Sequence, residues 1–188
     1  LQRGIFYKFC ITAANNPDKE FFFIIDEINR GNLSKIFGEL LMLIEKDYRG
    51  TQLTLAYRDE KFYVPSNIFI IGMMNTADRS LAMIDYALRR RFSFFEMTPG
   101  FMSDGFKKYQ NSLANVHFDR LIAKVEQLNA RIAEDDSLGT GFEIGHSYFC
   151  NQTKVTDDWL HQVIDFDIIP MLREYWFDNR EEVRKWEG

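Results

Sequence analysis

Phe21-Phe22-Phe23-Ile24-Ile25-Asp26-Glu27-Ile28-Asn29-Arg30 is a dense apolar run that stops at two adjacent carboxylates. Five consecutive Phe and Ile residues bounded by acids read as a strand buried on both faces, as inside a parallel sheet. That reading places Asp26 and Glu27 at the carboxyl end of the strand, the edge along which open α/β sheets bind their ligands. One carboxylate suits the water shell of a metal ion and the other suits the handling of a proton.

This is the shape of a Walker B element, which works with a phosphate loop of the form G-x-x-x-x-G-K-[ST]. No such loop occurs in the 188 residues, and the chain starts at Leu1 without an initiator Met. The expectation is an internal or carboxy-terminal piece of a larger protein, with the phosphate loop upstream. Such a piece binds nucleotide weakly and is inactive alone.

Composition narrows the partners. A content of 46% hydrophobic and 15% aromatic residues is ample for a folded core. A net charge of -5 and a pI near 5.3 argue against a broad nucleic-acid surface within this segment. Cys10 and Cys150 lack CxxC or Cys/His spacing, and His117, His146 and His161 are scattered, so neither a zinc site nor a disulfide framework is supported. No apolar run is long enough for a membrane span, and a reducing cytoplasm is the default compartment.

Around the opening motif the grammar is α/β. Ile5 to Asn15 reads as a helix, broken by Asn15-Asn16-Pro17-Asp18 before the strand at Phe21 to Asp26. Asn32 is placed to cap a helix running to Glu45 with Leu33, Ile36, Phe37, Leu40, Leu41, Leu43 and Ile44 at helical spacing. Leu53 to Tyr57 and Phe62 to Val64, joined by a polar turn, read as a β-hairpin insertion. Asn67 to Met74 is a second buried strand that ends in a polar cluster, Asn75 to Ser80. A short helix from Leu81 to Leu88 leads through Arg89-Arg90-Arg91 into a third strand, Phe92 to Met97.

Thr98-Pro99-Gly100 makes a domain boundary, giving residues 1–99 as the carboxy-terminal portion of an α/β core and 100–188 as a helical lid. Helices are expected near Met102 to Ser112, Phe118 to Glu134, Thr156 to Phe166 and Ile168 to Phe177, the last with Pro170 in its first turn. The charged tail, Asn179 to Gly188, is expected to fray.

DEINRGNLSKIFGELL, VPSNIFIIGMMNTADRSLAMIDYALRRRFSF and GFEIGHSYFC, in this order and spacing, closely resemble the McrB-type AAA+ GTPases of modification-dependent restriction systems. Met74 to Ser80 is the most diagnostic stretch, and Gly31 stands where some relatives have Ala. The resemblance implies a partial AAA+ P-loop NTPase core followed by a small helical lid. It also implies Mg²⁺ with GTP, ATP being possible, and a homo-hexameric motor. A McrC-like nuclease subunit would be its partner, with DNA read by an amino-terminal domain absent here. The resemblance implies DNA translocation and cleavage as the work of the whole complex, without telling which DNA modification is recognised or fixing GTP over ATP.

The same resemblance assigns roles. Asp26 holds a water of the Mg²⁺ shell and Glu27 orients or deprotonates the attacking water, since phosphoryl transfer needs neutralised charge and a placed nucleophile. Asn75 falls at sensor 1, with an Asx turn as the plainer role. Asp78 and Arg79 couple nucleotide to the neighbouring subunit, or Asp78 or Ser80 caps the next helix. Asn29 and Arg30 reach phosphate across the ring, or form an ordinary surface ion pair. Arg90 is the first choice of arginine finger and Arg91 the second, against a solvated charge run. His146 lies in the sensor 2 neighbourhood, or packs in an aromatic cluster with Tyr148 and Phe149. Two other functions stay open: an AAA+ ATPase of the MoxR or dynein-related type that remodels proteins, and a non-catalytic assembly module.

Overall fold

In a computed structural model, residues 3–56, 59–77 and 89–187 are described, and the chain divides into two compact units, Leu1–Phe95 and Glu96–Gly188.

In the first unit the apolar runs pair as a parallel ribbon. β1 (Phe21–Ile25) and β4 (Ile68–Gly72) run side by side from Phe21 opposite Ile68 to Ile25 opposite Gly72. Between them in sequence, β2 (Leu53–Leu55) and β3 (Glu60–Phe62) form the antiparallel hairpin, with Leu53 opposite Phe62. Helix α1 (Ile5–Ala14) lays Phe6 and Phe9 edge-on against Phe23, with ring centroids 5.0 and 5.1 Å apart. Cys10 and Ala13 join Leu43, Phe62, Val64 and Ile68 in the core beneath it. Asn67 pins the layers by donating from Nδ2 to the carbonyls of Ala13, Asn16 and Lys19, so the end of α1 and the start of both long strands are fixed together.

Three expectations fail here. β1 is buried on one face only, because α1 covers Phe21 and Phe23, and Ile25 packs against Ile28, Leu33, Phe37 and Ile44, while Phe22 and Ile24 remain 52% and 60% exposed. Phe69 and Ile71 of β4 continue that open face, and Phe22 stacks on Phe69 at 5.3 Å. The helix read from Asn32 to Glu45 is α-helical only over α2 (Leu33–Phe37). Gly38 there takes φ +49, ψ -124, a conformation open to glycine and closed to other residues, and a 3₁₀ turn over Gly38–Leu41 follows. The third strand, Phe92 to Met97, does not form. Phe92 packs beside Ile28, Leu33, Phe37 and Ile44, but Phe95 and Met97 are each 88% exposed and no described strand pairs with the segment. The helix expected over 81–88 lies outside the described residues.

The second unit is all helical. Ser103 caps α3 (Asp104–Leu113), and Asn115 caps α4 (Val116–Ala133) by accepting from the amides of His117 and Phe118. The stripe Phe118, Ile122, Val125, Leu128 and Ile132 recurs every three or four residues and faces one core. Opposite it, α5 (Asp157–Gln162) passes without a break into a π-helical stretch, Val163–Ile168, and then into α6 (Ile169–Tyr175). Pro170 thus sits inside a continuous helix. It brings no N–H, and a wider π turn in front of it relieves the clash its ring makes with the preceding turn.

The tail does not fray. α7 (Arg180–Arg184) is capped by Asn179 and buries Val183 and Glu182. Glu182 accepts from Arg131 Nε at 3.1 Å and Lys185 Nζ at 2.7 Å. These bonds hold its carboxyl below the usual range, and they tie the tail to α4.

Candidate functional site

The polar ends of β1 and β4 meet because the ladder continues past the strands. Met73 N donates to Ile25 O and Ile28 N donates to Met73 O, both at 2.9 Å. Gly72 provides the floor of that crossing. A Cβ at Gly72 would lie 2.4 Å from Ile28 Cδ1, so any larger residue there would force the Ile28 side chain to shift from its place on the strand end.

With Ile28 buried, the two acids turn outward. Glu27 adopts φ 50, ψ 46, a left-handed conformation that is uncommon for a non-glycine residue and collects at functional sites. Its carboxylate Oε2 lies 3.0 Å from Arg30 Nε, in an exposed ion pair. Asp26 Oδ1 accepts from the Glu27 amide at 2.9 Å, which leaves its other oxygen facing solvent at the strand end. A single exposed carboxylate fits a magnesium ion that keeps most of its waters and takes its remaining ligands from phosphates. Among the described residues no cluster of three or more His, Cys, Asp or Glu offers a metal cage.

Asn75 sits across from this turn. Its Oδ1 accepts from the Ala77 amide at 2.9 Å, forming an Asx turn that fixes the side chain, and its backbone carbonyl receives Asn29 Nδ2 at 3.4 Å. Asp26, Glu27, Asn29, Arg30 and Asn75 are thereby gathered at one end of the ribbon. Asp78 and Arg79 lie outside the described residues.

The arginine run divides. Arg89 and Arg90 are exposed, and no ion pair joins either to a described carboxylate. Arg91 is only 10% exposed along its side chain and binds Glu45 at 2.7 Å, within its own unit. Sequence reading missed that partner. Glu45 lies just past the apolar stripe of residues 33–44, and nothing in its local pattern pairs it with a residue 46 positions on. The role of Gly72 was open to sequence reading, because an isolated glycine ending a strand signals close backbone approach.

His146 belongs to the second unit. Its Nδ1 accepts from Gly100 N at 3.0 Å, which places the imidazole proton on Nε2 in the neutral ring. Phe101 and Phe106 stand edge-on to it at 6.2 and 6.0 Å, so its aromatic neighbours come from residues 101–106 rather than from Tyr148.

Two family models divide the chain between them. The AAA domain of the dynein-related subfamily matches residues 4–92, and the McrB alpha-helical lid domain matches residues 120–184. Among characterised proteins, the type IV methyl-directed restriction enzyme EcoKMcrB subunit of Escherichia coli K12 is 50% identical over 97% of this chain and 42% of its own length. The type II restriction enzyme BsuMI component YdiS of Bacillus subtilis 168 is 33% identical over 48% of the chain and 31% of its own length. The chain therefore spans less than half the length of either relative.

Proposed function

Because the chain belongs to the McrB-type AAA+ subunits, we propose that it forms the Walker B half of the nucleotide-binding core and the lid of a longer GTP-hydrolysing motor in a restriction complex. The observation that carries this reading is the joining of Asp26, Glu27 and Asn75 at the carboxyl end of one parallel strand pair. That is where an α/β nucleotide site is built.

Each side chain then has one task. The Asp26 carboxylate would hold magnesium through a water, and the ion would supply neutralisation of phosphate charge when bound with nucleotide. Glu27 points the attacking water and accepts its proton. Its left-handed backbone aims the carboxylate off the strand axis, and Arg30 holds it parked until substrate arrives. Asn75, locked by its Asx turn, presents its amide N–H groups to the terminal phosphate or that water. Arg90, exposed at the end of the cationic run, is the group to reach a neighbouring subunit's phosphates, because Arg91 is engaged by Glu45. Asp78 and Arg79 are the link between nucleotide and that neighbour. The Nε2–H of His146 is the donor left for a lid contact to phosphate.

The assembled form is a homo-hexamer with a McrC-like nuclease subunit, moving DNA that a separate amino-terminal domain has recognised. The 188 residues alone turn nucleotide over at background rate. The test is steady-state GTP and ATP hydrolysis by the full-length subunit with and without the nuclease partner. GTP-selective turnover stimulated by the partner supports the proposal. ATP-selective turnover indifferent to it favours protein remodelling, a reading to which the dynein-related match of residues 4–92 lends weight.

A further inference from the structure

Asn29 carries an anomaly that the roles above do not use. Its Oδ1 is shut off from solvent and has no donor among the described residues, while its Nδ2 reaches the Asn75 carbonyl at 3.4 Å. A buried amide oxygen without a partner is costly, and such a group in a folded protein calls for an explanation. Asn29 is two residues after the left-handed Glu27 and one after Ile28, whose amide is tied to Met73. Its side chain bridges the Glu27 turn to the Asn75 backbone.

We propose that Asn29 is a positioning residue that sets the distance between Glu27 and Asn75, with its Oδ1 serving as the acceptor for a water O–H that enters with nucleotide. The inference rests on the reading of Glu27 and Asn75 as hydrolysis residues. It differs from a phosphate contact across the ring, because the side chain is directed into its own subunit's sensor loop. At 3.4 Å the bond is long enough to shorten when substrate binds.

The test compares Asn29→Asp and Asn29→Ala in the full-length subunit, with Glu27→Gln alongside. The aspartate keeps size and acceptors and loses the donor to Asn75. Three readouts are needed: kcat and KM for GTP, affinity for a fluorescent guanine nucleotide, and amide exchange of residues 73–77 without nucleotide. Both Asn29 variants are expected to lower kcat about ten- to a hundredfold with nucleotide affinity changed less than about threefold. Exchange over residues 73–77 should be faster in both. Equal losses of kcat and affinity would mean direct phosphate contact and overturn the proposal, as would unchanged kcat or unchanged exchange. If Asn29→Ala does not fold, Asn29→Asp carries the decision. Should Glu27→Gln leave turnover intact, the hydrolysis reading itself fails; should Glu27→Gln abolish turnover while Asn29→Asp does not lower it, only the present inference does.

Discussion

The lid closes on itself and the α/β unit does not. Seventeen buried apolar residues of the lid form a single cluster, from Phe101 to Val183, whereas the described residues of the α/β unit form two smaller clusters of six and four. One whole face of the β1–β4 ribbon, Phe22, Ile24, Phe69 and Ile71, stays open to solvent. The difference is one of geometry. Helices of ten and eighteen residues wrap around a common centre, but a two-stranded ribbon has two faces, and one is covered. Burial, not local propensity, decides stability at this scale, so the two units should respond differently to the same kind of change.

The largest effect should come from Phe118→Ala, at a fully buried position of the lid. A loss of about 3–5 kcal/mol in lid stability is expected, against no more than about 1 kcal/mol for Phe22→Ala on the open face. All three tryptophans, Trp159, Trp176 and Trp186, lie in the lid. Denaturant curves followed by tryptophan fluorescence therefore isolate the first number, and equal costs at the two positions would erase the contrast.

Each unit also carries one cysteine. Cys10 is 1% exposed and burial pushes its thiol up to about 12, although Arg49 pulls the other way. Cys150 is half-buried, its thiol raised more gently by burial, and it donates to His146 O. Thiol labelling in the folded state should be at least about tenfold faster at Cys150. Labelling of Cys10 then reads how often the α/β unit opens. Faster labelling at Cys10 would show that its small core is open much of the time, sharpening the comparison beyond what burial suggests.

A smaller effect should appear in acid. Ser137 and Trp176 donate to Asp135, and these bonds with Arg131 nearby hold its carboxyl at about 2. Because the folded value lies below the unfolded one of about 3.9, the stabilisation is complete above about pH 4 and is lost as pH falls toward 2. Asp135→Asn should cost about 1 kcal/mol at pH 7. The gap from wild type should close across that window when thermal melts are repeated at falling pH, and a gap that widens in acid would contradict the assignment.

How legible all this was in the sequence depends on what each residue answers to. β1, β4 and the helical stripe of the lid were readable because apolar spacing reports burial along a single element. The Asp26-Glu27 end and Asn75 were readable because strand ends are set by where the apolar run stops. Gly38 ended a helix that the same spacing would have continued, since one φ angle outweighs a periodic pattern. The open face of β1 was misread because an all-apolar run looks the same whether one side or both are covered. Arg91 was the hardest: three adjacent arginines are indistinguishable until Glu45, remote in sequence, claims one.

The most direct measurement is single-turnover GTP hydrolysis by the full-length subunit and its Glu27→Gln variant, with nucleotide binding measured on the same samples. The account predicts retained binding and at least about a hundredfold slower hydrolysis, the scale of losing a placed general base. Hydrolysis at the wild-type rate with binding intact would contradict it and leave the Glu27 turn as structure alone.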